Sequence, residues 1–554
     1  MNIFKKLKNY LPFLVFLAGM LPILYNIGTM GLLEPNEALI GSIARYMVDT
    51  NDFFTPMANE TKHFEMAPGV YWITAFGVKF FGNTELGARF FLSISAGITA
   101  VCIFFIAKLF FGLQCAVITC LLLCTSAIFQ IAFRILTPEA YCTAFESMLC
   151  LSFFCYLNNP SKPLKITFWL LLSIAFLFSG FTVLLPLIAL VFAALYTGQT
   201  KSIKSLTAFV PGILTFLFIG LGWYIIQIII NPGLLNFYLI TYPSYSFIHQ
   251  YNGFPFYLYL LLPLIAVFPW TTFLFQELKN KIPEFKEDPA VVYLVTWAFF
   301  PFFLRLIMTS RTFVDFMSSL PPLIILTAPS FQNIYFLKNK KDKNSLIYIT
   351  ERRRHNLILT VITASVAMVA CIIGAVNWGE ARVISQTLIF TGIFWLFSTL
   401  IMTAFMIKKL NKSVLVPSAM LIPSLILFTV PAVKGHEPYS SHNYLSSKHI
   451  LLKKINLLPN LDFINCSTPI NGYYFYTGKK VKQFGINQNY GFVSSKANNL
   501  IITKDNADKL IKRDSYFIIP AFEKEKISKL LGKSLSISIE ESGWYIATIE
   551  GDLK

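Results

Sequence analysis

Apolar runs of about 20 residues recur along this chain as far as residue 433, and a run of that length can cross a bilayer as a helix. Lipid offers the backbone no hydrogen-bond partners, so only helices and closed barrels span it. The runs are continuous rather than alternating, which selects helices over a barrel. The 554 residues are 55% hydrophobic and 13% charged, more apolar surface than a soluble domain can hide. The fold class expected is an all-α polytopic membrane domain with about thirteen transmembrane helices. They are placed near 10–30, 88–111, 114–132, 140–157, 166–180, 182–197, 207–230, 254–275, 290–308, 314–336, 355–377, 383–407 and 414–433. The stretch 166–197 reads equally as two short spans meeting at Ser179-Gly180 or as one long helix. The first run follows Lys5, Lys6 and Lys8 and lacks a small-residue cleavage site, so it reads as an uncleaved anchor.

Basic residues set the orientation. Cytoplasmic loops carry the excess of Lys and Arg. Lys162 and Lys165, Lys201 and Lys204, Lys279 and Lys281, Lys338 through Arg354, and Lys408 to Lys412 all follow even-numbered spans. They therefore share one side with the N-terminal lysines, whereas 231–253 has no Lys or Arg. An odd number of spans then places the C-terminus outside. The expected location is a bacterial inner membrane, with the N-terminus cytoplasmic and the C-terminal segment periplasmic. The net charge of +18 is largely this pattern, which argues against a nucleic-acid partner.

Beyond residue 433 the composition turns polar. Residues 434–554 carry short β-rich runs, "GYYFYTG", "NLIIT", "SYFIIPAF" and "GWYIATIEG", with a helix expected at "EKEKISKLLG". The reading is a membrane domain over 1–433, with a first external loop at 31–87, and a small external α/β domain over 434–554. Cys466 is alone in the soluble part, so no disulfide framework exists there. The chain contains no P-loop, GxGxxG, HExxH or paired CxxC, so ATP-driven transport and zinc proteolysis have no local support.

The first loop carries the strongest chemical signal. "EPNEALIGSIARYMVDTNDFFTPMANETKHFEMAPGVYW" is acidic at one end and aromatic at the other, beside a membrane-level mouth. A loop this long is functional or has its own elements. Ile40, Ile43, Ala44 and Met47 have helical spacing behind Asn36, a residue suited to an N-cap. "PGVYWITAFGVKFFG" reads as a second amphipathic helix along the membrane surface.

The order EPNE, IARYM, NDFFTP, KHFEMAPGVYWITAFGVKFFG, GAR resembles the first external loop of GT-C glycosyltransferases that use polyprenyl-phosphate sugars. The aminoarabinose lipid A transferases are the nearest subgroup, with the protein O-mannosyltransferases related. "FPFYLYLLLPLIAVFPW" and "VVYLVTWAFFPFF" extend the resemblance over most of the chain. It implies a GT-C fold, an active site at the external face and inverting sugar transfer. There are departures. Asn36-Glu37 stands where the family has Asp-Glu. Phe64-Glu65-Met66-Ala67 stands where it has Phe-Glu-Lys-Pro, so a lysine expected at donor phosphate is missing. Ser179-Gly180 replaces Lys-Gly, and "ITYPSYSF" replaces a Glu-His with a nearby Arg. Arg311 falls near a family lysine.

These residues define the expected site. A polyprenyl-phosphate donor needs cations for its leaving group, and the acceptor needs a carboxylate or amide to orient it. Glu37, Asn36 and Glu65 are the expected catalytic residues, with Asn36 and Glu37 orienting the acceptor. Glu139, expected to converge with Glu37 and Glu65, joins Glu65 in shaping the site or holding a metal. Arg134, Arg305, Arg311 and His249 are expected to compensate as phosphate contacts. Glu146 lies deeper in the fourth span, where a charge must pair or face a cavity. Any divalent metal is left unassigned. The function implied is sugar transfer, of an aminosugar or hexose, to an envelope lipid, with lipid A favoured. The alternatives are a protein O-glycosyltransferase and a non-catalytic homologue that binds lipid-linked sugar. A flippase or secondary transporter would show an inverted repeat, and none is seen.

Overall fold

The computed structural model describes residues 2–33, 36–241, 256–268, 270–283, 285, 287–307 and 313–336, helical positions within 350–372, and residues 382–408. In the C-terminal segment it describes 463–466, 471–480, 482–484, 492–493, 501–502, 511, 515–520, 524–531, 534–541 and 544–549. The chain divides into two compact units: Met1–Tyr25 with Leu92–Ala432, and Asn26–Phe91 with Val433–Lys554. The loop expected to belong to the membrane domain therefore packs with the C-terminal segment. Ser42, Arg45, Asp49 and Glu60 of this loop find partners there.

The first unit is helical. It comprises α1 (Asn2–Leu24) and most of α4 (Glu85–Cys124). After them come α5 (Ala127–Ala132), α6 (Pro138–Asn158), α7 (Lys162–Ser179) and α8 (Leu184–Tyr196), then helices Thr271–Lys281, Pro289–Ile307, Leu320–Phe336 and Arg382–Ile407. The expected spans 88–111 and 114–132 run together through α4, whose path breaks at Gly112, with φ 82°, a conformation open to glycine. The stretch 166–197 resolves into α7 and α8 joined by a 3₁₀ turn at Gly180–Val183. Among the described residues four helices are long and apolar enough to cross a membrane: Glu85–Cys124, Pro138–Asn158, Lys162–Tyr196 and Pro289–Ile307. Thr200–Thr207 with Val210–Gly220, bent by 53°, makes a fifth. The expected span 414–433 and much of 355–377 lie outside the described residues. Helix α6 packs on α7, Pro289–Ile307 on α8, and Thr271–Lys281 on Leu320–Phe336. Large aromatics fill the spaces between them. Tyr259 stacks on Phe302 at 5.6 Å, and the buried Trp270 indole donates to Thr125 Oγ1 at 2.7 Å.

The second unit combines three elements of the first loop with a mixed sheet. Helix α2 (Asn36–Thr50) packs on α3 (Pro68–Phe81). Both were expected from spacing, and Pro68 sits at the first turn of α3, where its missing N–H costs nothing. Helix α3 buries Val70, Tyr71, Ala75 and Val78 and exposes Phe76 and Phe80, the split expected of an interfacial helix. Between them β1 (Met57–Ala58) and β2 (Thr61–Lys62) form a hairpin not anticipated from sequence. Its two-residue turn, Asn59-Glu60, has φ of 49° and 64°, the left-handed pair that matches strand twist. The main sheet has the order β6-β4-β3-β7-β9-β8. Its strands are β3 (Phe463–Cys466), β4 (Lys482–Phe484), β6 (Ile501–Ile502), β7 (Tyr516–Pro520), β8 (Leu535–Glu541) and β9 (Trp544–Ile549), and β5 (Phe492–Val493) pairs instead with β2. Strands β3, β4, β6 and β7 run parallel, and β9 pairs antiparallel with β7 and β8.

One expectation is corrected. "GYYFYTG" reads as β-rich, but Gly472–Thr477 is a helix. Strand propensity of aromatics is a packing preference rather than a backbone rule. Here the rings pack against α2, and Gly478, at φ 70°, closes the helix in the left-handed conformation with its N–H on the Tyr474 carbonyl at 2.8 Å.

Candidate active site

Two groups of expected site residues are described, one in each unit. In the second unit, Glu37 lies in the first turn of α2 and is 2% exposed. Its Oε1 accepts from Arg89 Nε at 2.6 Å and its Oε2 from Arg89 Nη2 at 2.7 Å, a bidentate pair. Oε2 also accepts from the Leu33 amide at 2.7 Å. Arg89 spends its remaining donors on the carbonyls of Ile27 at 3.3 Å, Met30 at 2.5 Å and Gly31 at 2.8 Å. The pair thus pins segment 27–33 to the start of α4. Glu37 was expected, with Asn36, to orient the acceptor. Its carboxylate is instead occupied by Arg89 and a backbone amide, because an uncompensated charge at that burial would be costly. Asn36, one residue earlier, is exposed.

Glu65 contrasts with Glu37. Its side chain is partly exposed, and its Oε2 lies 3.5 Å from His63 Nδ1. That oxygen is itself buried and accepts no hydrogen bond among the described residues. Glu65 thus keeps unspent acceptor capacity on the turn between β2 and α3.

In the first unit, Glu139 opens α6 immediately after Pro138. Its electrostatic neighbours are Asp315 and Arg305. Arg305 Nη1 lies 3.2 Å from Asp315 Oδ1. Glu146, two turns further along α6, is 1% exposed, and neither of its oxygens meets hydrogen-bond geometry among the described residues. Ser318, Arg305 and Glu139 are among its polar neighbours. The structure thus gathers Glu139, Glu146 and Arg305, and adds Asp315, which sequence reasoning missed.

Arg134 lies between α5 and α6. It is 6% exposed and donates to the Gln130 carbonyl at 2.7 Å, to Gln130 Oε1 at 2.8 Å and to the Pro22 carbonyl. Its Nε is buried without a partner, and no acid pairs with it among the described residues. Burial pulls its pKa down to about 10, so it remains a cation at neutral pH. Arg311 and His249 lie outside the described residues. Among the described residues no group of three or more His, Cys, Asp or Glu gathers as a metal site requires.

Arg89 is the main residue missed from sequence. It is the arginine of the GAR motif, and its partner lies 52 positions away. Its sequence signals were the GAR motif of the first-loop resemblance and a charge at the head of an apolar run, which has to be paired or reach water.

The comparisons agree with this architecture. A family model described as dolichyl-phosphate-mannose-protein mannosyltransferase matches residues 65–226. A solved structure, ArnT from Cupriavidus metallidurans bound to undecaprenyl phosphate, matches with a TM-score of 0.79 at 17% identity, over 96% of this chain and 97% of that one. The chain shares the membrane fold of that structure. In sequence it is similar to undecaprenyl phosphate-alpha-4-amino-4-deoxy-L-arabinose arabinosyl transferase 2 of Proteus mirabilis, 25% identical over 325 residues. That match covers 57% of this chain and 58% of the Proteus protein, so it spans less than two thirds of that relative. An uncharacterised protein of Aquifex aeolicus is 27% identical over 343 residues, 60% of this chain and 67% of its own length.

Proposed function

We propose that the chain transfers a sugar from a polyprenyl phosphate, undecaprenyl phosphate in a bacterium, to an envelope lipid, with lipid A the favoured acceptor. The reaction takes place at the periplasmic face of the inner membrane, with the N-terminus cytoplasmic and the C-terminal segment periplasmic. The observation that carries this reading is Arg134, a buried guanidinium with an unspent donor and no acid partner among the described residues. A buried cation calls for an anion. A polyprenyl phosphate supplies one, and the relatives named above act on, or are seen with, that carrier.

The chemistry is a displacement at the anomeric carbon. An acceptor oxygen forms the new C–O bond while the bond to the carrier phosphate breaks, and the carrier departs as a phosphate monoester with its electron pair. A single displacement inverts the anomeric configuration. Arg134, with Arg305, Arg311 and His249, stabilises the charge that grows on the departing phosphate. Glu65 and Asn36 orient the acceptor, and Glu37 acts through Arg89 by fixing the backbone before α2. Glu139 shapes the donor pocket beside Arg305. A lipid A phosphate as acceptor needs little help from a base, since its second pKa is about 6. A Ser or Thr hydroxyl would need one, and Glu65 is the available carboxylate.

The test is reconstitution of the full chain with an undecaprenyl-phosphate aminosugar and lipid A, read by mass spectrometry. Lipid A gaining one sugar mass supports the reading. Transfer to a Ser/Thr peptide instead would make it a protein O-glycosyltransferase. Binding without turnover would make it a non-catalytic homologue, a reading that Asn36 and Met66 favour because both stand where relatives are expected to carry charged groups.

A further inference from the structure

In the second unit, two consecutive amides before α2 are taken by different parts of the chain. The Leu33 N–H donates to Glu37 Oε2 at 2.7 Å, and the Leu32 N–H donates to Tyr476 Oη at 2.7 Å. Tyr476 belongs to the short helix Gly472–Thr477, more than 400 positions away. The same helix grips α2. Ser42 Oγ donates to the Asn471 carbonyl, and Arg45 Nη1 donates to the carbonyls of Tyr474 at 3.2 Å and Phe475 at 2.7 Å. These are carbonyls of its last turn, which a cation satisfies well. Arg45 is itself held by Asp49 at 3.2 Å, and Asp49 also accepts from the Tyr474 hydroxyl at 3.2 Å. Burial, then Asp49, pushes Tyr474 up to about 12, so the hydroxyl stays a donor. Gly41 permits the approach, since a Cβ there would lie 2.5 Å from Leu32 Cδ1 and 3.1 Å from the Phe475 ring. Further along, β2 pairs with β5, and Lys480 pairs with Glu60 in the hairpin turn.

We infer that the C-terminal segment is a positioning clamp for the first loop, with Tyr476 and Arg45 setting the placement of α2 and of Asn36 at its head. The inference rests on the proposed transferase reading for its kinetic consequence, but not for its structural one. Segment 27–33 has its carbonyls on Arg89 and its amides on Glu37 and Tyr476, so its backbone is fixed from both sides. Helix α2 is held through its own Ser42 and Arg45, which donate to Asn471 and to carbonyls of the helix that carries Tyr476. Moving that helix would move Asn36 and the Leu32–Leu33 backbone together. Tyr476 and Arg45 touch no substrate and act through α2.

The test uses the full chain in detergent or nanodiscs, with Tyr476→Phe to remove only the hydroxyl and Arg45→Gln to release the carbonyls. Hydrogen–deuterium exchange should rise about tenfold or more over 27–33 in Tyr476→Phe, because a buried amide loses its acceptor, while β7 and β9 exchange as in wild type. With donor and acceptor supplied, kcat should fall about tenfold in both variants, with KM for the donor unchanged. Unchanged exchange over 27–33 in Tyr476→Phe overturns the clamp, as does a uniform rise that includes β7 and β9. If wild type shows no transfer at all, the proposed activity fails, and the exchange measurement still decides the clamp.

Discussion

Glu37 and Arg89 meet in a bidentate pair at 2.6 and 2.7 Å, with side chains only 1% and 0% exposed. Each donor of Arg89 is spent on Glu37 or on a carbonyl of 27–31, so the pair organises backbone as well as balancing charge. Removing one partner leaves a buried charge, at a cost of about 3–5 kcal/mol. Glu37→Gln should therefore abolish transfer through disorder of 27–33, seen as new protease cleavage there. Glu37→Gln with Arg89→Met should lose less stability than the two single changes summed, because the orphaned charge is gone. Additive losses, or a fully active Glu37→Gln, would remove the pair from this role.

The two halves of that pair show how far sequence reaches. Glu37 was legible, since it heads a helix with clear periodicity and fits a recognisable loop pattern. The helix at PGVYWITAFGVKFFG and the break between the runs 88–111 and 114–132 were readable for the same reason: the patterns are local. Arg89 and Tyr476 were not, because each acts on a segment tens to hundreds of positions away, and no local pattern encodes a partner at that distance. The helix Gly472–Thr477 was misread because its aromatics are good strand formers in isolation, and only α2 decides otherwise. Asp315, at the start of the expected span 314–336, carried no signal of its own, and becomes notable only once Arg305 lies 3.2 Å away.

Arg134 gives the sharpest test of donor binding. A hydrogen bond to a charged group is worth about 1.5–3 kcal/mol, so Arg134→Gln should raise KM for the polyprenyl-phosphate sugar by roughly 10- to 100-fold. Arg134→Lys keeps the charge but not the planar fork, and should recover only part of that loss. Direct binding of undecaprenyl phosphate to the purified variants, measured calorimetrically, reads the same effect without turnover. Unchanged donor binding in Arg134→Gln would assign this arginine to holding Pro22 and Gln130 alone.

Orientation is tested separately. A reporter active only in the periplasm should be active when fused after Lys554 and silent when inserted near Lys341. The reverse pattern would move the proposed site to the wrong side of the membrane for an envelope acceptor.

Glu65 distinguishes acceptor chemistries. General-base assistance contributes about 100- to 10,000-fold, so a hydroxyl acceptor would make Glu65→Gln nearly inactive. With a phosphate acceptor the proton is already absent for much of the population at neutral pH. Glu65→Gln should then lower kcat by less than about tenfold, about 1.4 kcal/mol in barrier, because only orientation is lost. A loss of three orders of magnitude would point to a hydroxyl.

Asn36 carries the last prediction, because it separates an enzyme from a binding protein. It is exposed at the start of α2, one residue before the buried Glu37. An amide cannot take a proton, but it can donate to a phosphate oxygen, which a carboxylate would repel. An acceptor phosphate is therefore compatible with Asn36, and an acceptor hydroxyl is poorly served by it. Wild-type protein should modify a lipid A phosphate and leave a Ser/Thr peptide untouched. Asn36→Asp should be tolerated, or should reduce transfer by less than about tenfold, since the new charge sits in water and is screened. If wild type turns over no lipid-linked sugar and Asn36→Asp restores transfer, then the amide marks a transferase that has lost its chemistry while keeping its carrier site.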